Sequence, residues 1–98
     1  MNSQCHVRII GPALPGAKLY DRVTWLRSCD FEAFHGIGHV VHTSRRSEAM
    51  VFDSFRDALA FTQRTPQCRP LRPDGKPNKP LTAYHLEIIG TDTEPTPL

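Results

Sequence analysis

Asp53-Ser54-Phe55-Arg56-Asp57-Ala58-Leu59-Ala60-Phe61-Thr62, residues 53–62, is the stretch on which the fold turns. Ser54 is placed to accept from the backbone N–H of Asp57. The Asp57 carboxylate is placed to reach back and to favour the positive end of a helix. Phe55, Ala58, Leu59 and Thr62 follow helical spacing, with Phe61 beside them, and predict one apolar stripe. Pro66 biases Thr65 away from the α region, so the helix should stop near Thr65. A helix of roughly twelve residues is marginal alone in water. It must lean on a sheet.

Strands are legible on both sides of it. Cys5 to Ile10 alternates Cys5, Val7 and Ile9 against His6 and Arg8, the pattern of a half-buried strand. Arg22 to Ser28 is rich in β-branched and aromatic residues, and Val23 and Trp25 should share its buried face. Trp25, a lone large aromatic, reads as a core anchor. Phe31 to Gly38, with two glycines a residue apart, predicts a bulged or wide connection to a third strand, His39 to Thr43. One helical turn is expected from Ser47 and a short extended piece at Met50 to Phe52. After the helix, Leu81 to Ile89 alternates Tyr84, Leu86 and Ile88 against Ala83, His85 and Glu87. The order β-β-β-α-β predicts an α+β domain: a mostly antiparallel sheet of about four strands with one helix packed on one face. The last strand is expected beside the first. Residues 1–90 read as a single α+β domain and 91–98 as a flexible polar tail.

Between the helix and the last strand lies Arg69-Pro-Leu-Arg-Pro-Asp-Gly-Lys-Pro-Asn-Lys-Pro-Leu-Thr-Ala83. Five prolines from Pro66 to Pro80 remove backbone donors and fix φ, so the segment cannot be helix and is a poor inner strand. Asp74-Gly75 marks a turn in its middle. Four cations, Arg69, Arg72, Lys76 and Lys79, face one acid, Asp74. The net charge of the chain is only +2, but from Arg45 to Lys79 eight Lys/Arg stand against four Asp/Glu, while three acids and no base follow from Glu87 onward. Such a basic middle suits phosphate or an acidic protein patch. The stiffness of the prolines would reduce the entropy lost on docking. The competing reading is a connecting segment that crosses the molecule with Leu71 and Leu81 plugging the core.

Other chemistry finds less support. The composition, 39% apolar and 22% charged, is that of an ordinary soluble globule, and no apolar run approaches the ~18–20 residues of a membrane span. Three cysteines at irregular spacing are not a disulfide framework. His35, His39 and His42 follow an H-x3-H-x2-H spacing, but His39 and His42 would point to opposite faces of a strand, so no shared metal is expected. No cofactor fingerprint is present. A Cys/His nucleophile pair lacks any local signature; Cys68, beside Arg69, could have a lowered pKa. The best enzymatic alternative is a metal-independent ribonuclease using His39 or His85 with Arg27 or Arg69.

Phe52-Asp53-Ser54-Phe55, Ala58-Leu59 and the run Arg69 to Ala83 together resemble small uncharacterised proteins of bacterial prophages and mobile elements, over roughly the C-terminal half of the chain. The resemblance implies no activity and transfers no functional residue. It implies genomic company in which small proteins bind and block host machinery, including CRISPR interference complexes. The expectation is therefore a non-enzymatic phage- or prophage-type binding protein, anti-CRISPR-like in role, acting in the bacterial cytoplasm. Its partner would be a host protein or ribonucleoprotein complex, with nucleic acid itself the alternative and no membrane involved. The expected contact residues are Arg69, Arg72, Lys76 and Lys79, joined by Arg56 and Arg64 from the helix.

Overall fold

The computed structural model describes residues 3–95. Four strands, β1 (Cys5–Pro12), β2 (Thr24–Asp30), β3 (His39–Thr43) and β4 (Tyr84–Gly90), form one sheet in the order β3-β2-β1-β4. Every neighbouring pair is antiparallel. The chain is an α+β protein, with α2 (Phe55–Thr62) as its main helix. A single turn, α1 (Ala33–Gly36), joins β2 to β3, and short 3-10 turns occupy Arg46–Glu48 and Pro80–Ala83. The last strand does pair with the first, from Cys5 opposite Gly90 to Pro12 opposite Tyr84. Of the tail expected over 91–98, residues 96–98 lie outside the described residues; Thr91 N–H donates to Gln4 O at 3.0 Å.

The front face of the sheet carries the main core. Val7, Ile9, Leu26, Ala58 and Leu81 are wholly buried, and Cys5, Phe31 and Phe52 nearly so. Each large aliphatic side chain there contributes about 1.5–3 kcal/mol. Phe61 from α2 stands between Phe31 and Phe52, with ring centroids 5.1 and 5.2 Å away. Ser54 caps α2, its Oγ accepting from Asp57 N–H at 3.1 Å. The face that α2 buries differs from the expected stripe. Ala58 and Thr62 point into the protein and Phe61 packs against the core, while Phe55 and Leu59 are 58% and 45% exposed. The helix is also shorter than expected, closing at Thr62, whose hydroxyl donates to Leu59 O at 2.8 Å. A short helix set on one edge exposes part of the stripe that helical spacing alone would assign to the core.

The back face is not the solvated side that alternation in β1 suggests. His6 and Arg8 are both buried. Trp25 anchors a second apolar cluster there with Ala49, Ile89 and Val23. The Arg46 guanidinium lies 4.6 Å over the Trp25 ring and donates to His6 Nδ1 at 3.1 Å and Gly90 O at 2.7 Å. Arg8 meets Glu87, its cross-strand partner in β4, at 3.4 Å. Among the described residues, Arg46 and Ala49 of the segment after β3 pack across this face.

Two histidines tie the fold to pH. Burial, and then the charge of Arg46, hold His6 below the ordinary 6.5; burial alone does so for His42. Both are therefore favoured neutral in the folded chain, and on acidification the unfolded chain takes up these protons first. Their contribution to stability is full above about 6.5 and shrinks as pH falls toward the lowered native values. Thermal melts through the mildly acid range should show Tm dropping as pH passes below about 6.5. A melt temperature that is flat through this window would contradict the burial of both rings.

Candidate functional site

The proline-rich run is a small hairpin and not an irregular cord. Leu71 bridges to Pro77, Arg72 N–H donates to Lys76 O at 2.7 Å, and Asn78 N–H donates to Pro70 O at 2.9 Å. The tip is the expected turn: Gly75 N–H donates to Arg72 O at 2.9 Å, with Gly75 at φ +83°. The Asp74 carboxylate accepts from the Arg72 guanidinium at 2.8 Å and from Lys76 N–H at 3.1 Å. The prolines that bracket the hairpin seal its base, since Pro66 and Pro80 are buried together with Leu81. Leu71, by contrast, is 56% exposed, so of the two leucines expected as core plugs only Leu81 serves.

Two attachments seat the hairpin on α1. The Glu32 carboxylate accepts from Gln67 N–H at 2.8 Å and Cys68 N–H at 2.9 Å. The Asn78 amide donates to Gly36 O at 2.8 Å and to Arg69 O at 2.9 Å. The backbone beneath is left-handed at four positions: Phe34 at φ +54°, His35 at +57°, Gly36 at +89° and Gly38 at +90°. Two consecutive non-glycine residues in that region cost about 1–2 kcal/mol each. Gly38 N–H to Ala33 O at 2.9 Å and the Asn78 bond to Gly36 help offset it. The turn leaves Phe34 and Ile37 about two-thirds exposed.

Between hairpin and turn lies a cleft of about 400 Å³, lined by Gly36, Ile37, Asn78 and Thr82 among others, and by three cations, Arg69, Arg72 and Lys79. Among the described residues, no ion pair takes up Arg69, Lys76 or Lys79; Arg72 alone of the hairpin cations is paired, with Asp74. Lys79 Nζ donates to the neutral Gln63 Oε1 at 3.0 Å, which orients its charge without cancelling it. The remaining expected contact residues stand elsewhere. Lys76 sits at the hairpin tip and Arg56 on the first turn of α2, neither lining the cleft. Arg64 lies over the Phe31 ring at 5.0 Å. The sequence reading missed Glu32, Ile37 and Asn78. Only Asn78, inside the proline run, carried a local signal.

His85 and Arg69, named for the catalytic alternative, line different clefts. A second cleft of about 300 Å³, between α2 and β4, is lined by Leu59, Tyr84, His85 and Leu86 but by no Lys or Arg, while the basic cleft is lined by no histidine. Arg27 is engaged with Glu48 at 3.6 Å. His42 packs between Tyr20 and Tyr84, and His39 touches Phe34, so the two histidines of β3 lie apart. Among the described residues no three His, Cys, Asp or Glu side chains are grouped to hold a metal, and no helix is long and apolar enough to cross a membrane. Burial, and then Asp30, push the Cys29 thiol up to about 11. Cys68 corrects the sequence expectation. Its pKa is raised, chiefly by hydrogen bonding to Glu32, and the nearby Arg69 charge does not reverse this.

Glu32 itself is held below the ordinary 4.5, first by the Cys68 N–H and then by Gln67 N–H. Its grip on the hairpin is therefore complete above about 4.5 and is lost as pH falls through the lowered native value. Glu32→Ala should speed amide exchange at Gln67 and Cys68 and make the Cys68 thiol react faster with iodoacetamide at mildly alkaline pH, because the group that raises its pKa is gone. Unchanged exchange at those two amides would refute the anchoring role.

Comparison with protein-family models, with curated proteins and with solved structures finds no match to this chain. The functional reading rests on the cleft.

Proposed function

We propose that this protein is a non-enzymatic binding protein that docks an anionic partner in the cleft between the proline hairpin and the left-handed turn. One observation carries the reading: Arg69, Arg72 and Lys79 converge on one cleft of about 400 Å³, and of these only Arg72 is matched by an acid. Arginine guanidinium groups suit bidentate contact with phosphate or carboxylate, while Lys79 supplies a point charge. The hairpin is held by Glu32, Asn78 and buried prolines, so little order remains to be gained on binding. Together with the phage-type resemblance of the run Arg69 to Ala83, this supports a role in blocking a host complex, with a CRISPR-type ribonucleoprotein as one such target.

The test is retrieval of partners from bacterial lysate, with and without nuclease, by the wild type and by a variant carrying Arg69→Ala, Arg72→Ala, Lys76→Ala and Lys79→Ala. The wild type should retain a salt-sensitive partner that the quadruple variant loses. Retrieval of the same partners by both proteins, with the variant folded, would overturn the reading.

A further inference from the structure

The sheet ends on β4 with an open edge, because in the order β3-β2-β1-β4 that strand pairs with β1 alone. Its backbone directions are fixed at both ends. Ala83 O accepts from Ala13 N–H at 2.8 Å, and Thr91 N–H donates to Gln4 O at 3.0 Å. Backbone groups alternate along a strand, so Glu87 and Ile89 also turn theirs toward β1, while Leu86 and Ile88 turn theirs outward. Among the described residues, nothing bonds to Leu86 or Ile88 on that outer side. Exposed edges are usually blunted by lysine or proline, and β4 carries neither. Beside the edge lies the cleft of about 300 Å³, walled by Leu59 of α2, 45% exposed, and by Tyr84, Leu86 and Ile88, which are only half-buried. The opposite edge, β3, is five residues against seven, and neither cleft is lined by it.

We infer that β4 pairs antiparallel with β4 of a second copy of this chain, about a two-fold axis at Leu86, joining two sheets into one. The pairing makes no use of the hairpin cations and does not rest on the docking role. A two-fold axis through a hydrogen-bonded pair needs a residue whose N–H and C=O both face outward, and Leu86 has that orientation near the middle of the strand. Leu86 then exchanges both bonds with its copy, and each Ile88 N–H reaches the Tyr84 carbonyl of the other chain. Directly opposed residues share a face. On the front face Leu86 meets Leu86 and Tyr84 meets Ile88, covering the apolar side chains beside the cleft. By alternation His85 and Glu87 point to the back, where His85 of each copy stands opposite Glu87 of the other. His85 is exposed, and Glu87, held by Arg8 at 3.4 Å, keeps 38% of its side chain accessible to accept from an imidazole N–H. Neighbouring registers are worse. An axis at Glu87 sets two carboxylates against each other. An axis at His85 sets Ile88 opposite Thr82, which belongs to the 3-10 turn and continues no strand. A second copy supplies the His85–Glu87 complement from the strand itself, which favours it over an unrelated extended peptide.

The experiment is sedimentation velocity of the full chain across a micromolar concentration series, in reductant so that the exposed Cys68 cannot cross-link copies, with amide exchange read alongside. The wild type should pass from monomer to dimer as concentration rises. The amides of Leu86 and Ile88 should gain protection over the same range, while those of Glu87 and Ile89, already bonded to β1, change little. His85→Glu sets like charges opposite each other twice and should weaken the dimer about 2- to 30-fold; His85→Lys should keep it. His85 is exposed, so the fold should survive both changes. Leu86→Pro removes an outward donor and spares the ladder to β1, so it should leave a monomer, its fold checked by circular dichroism. If that variant does not fold, the His85 pair of variants and the exchange pattern decide. The quadruple hairpin variant should dimerise like the wild type. A wild type that stays monomeric would overturn the inference and leave the edge to an extended segment of another protein. So would a dimer indifferent to His85→Glu, one without added protection at Leu86 and Ile88, or one lost with the hairpin cations.

Discussion

Gly36→Ala is expected to destabilise the protein by about 2–4 kcal/mol, combining left-handed strain with overpacking, and to lower Tm by roughly 10–20 °C. Gly36 lies at φ +89°, where a side chain is disfavoured whatever the space around it. Space is also lacking. A Cβ there would come within 2.6 Å of Arg69 Cβ and 3.2 Å of Pro66 Cγ. Pro66 is fully buried, and Arg69 begins the hairpin, so neither can retreat without lifting the hairpin from α1. Lifting it would strain the bond from Asn78 to Gly36 O and open the cleft. Gly75→Ala provides the control. Gly75 has a similar φ, +83°, but nothing lies within 4 Å of its Cβ position. That variant should show strain alone, and the difference between the two measures the close approach. Equal losses of stability, read by chemical denaturation, would mean that the hairpin does not press on Gly36. Gly36→Ala should also lose partner binding beyond what its stability explains, because the cleft is formed by that close approach.

Leu26→Ala is the second large effect, about 2–5 kcal/mol, from lost burial plus the cavity left behind. Leu26 is wholly buried in the main cluster, beneath the strand positions of Val7 and Ile9 and beside Phe31 and Phe52. It is pinned on β2 by pairing with His42 and by accepting from Met50 N–H at 2.9 Å, so the backbone cannot close the hole. The urea midpoint should fall with the m-value unchanged. Leu71→Ala, at the exposed hairpin, should change stability little. A large loss at Leu71 would revive the reading in which the proline run serves as a core plug, and a small one at Leu26 would contradict the burial seen on the front face.

The positions of strands and helix were legible because their signals are local. The Ser54 cap, the alternation through β1 and β4 and the Asp74-Gly75 turn each involve residues a few positions apart. The turn within the proline run was correctly placed at Asp74-Gly75. Which side of α2 is buried was not. Phe55 and Leu59 satisfy helical spacing as well as Ala58 and Phe61 do, and the choice between them is made by how the helix sits on β1 and β4. Arg8 shows the same limit from the other direction. Alternation marks it as outward, and it is outward from the main core, yet the segment after β3 brings a second apolar cluster over that face.

The candidate site divides along the same line. Sequence alone named the four hairpin cations, but gave no sign that Arg69, Arg72 and Lys79 share a cleft while Lys76 stands at the tip. Nor does the string Phe34-His35 announce left-handed backbone: a bulky Phe rarely adopts it, and even His does so only as a minority state. Local propensity determined the elements, their order and the charged turn of this protein. The tertiary structure decided which faces are covered, how the hairpin is clamped to Glu32 and to the Gly36 carbonyl from thirty-five to forty-two residues away, and that Arg69, Arg72 and Lys79 share a cleft. The reason is physical: caps, turns and alternation are fixed by neighbours along the chain. Burial and convergence are fixed by groups that meet only once the chain has folded.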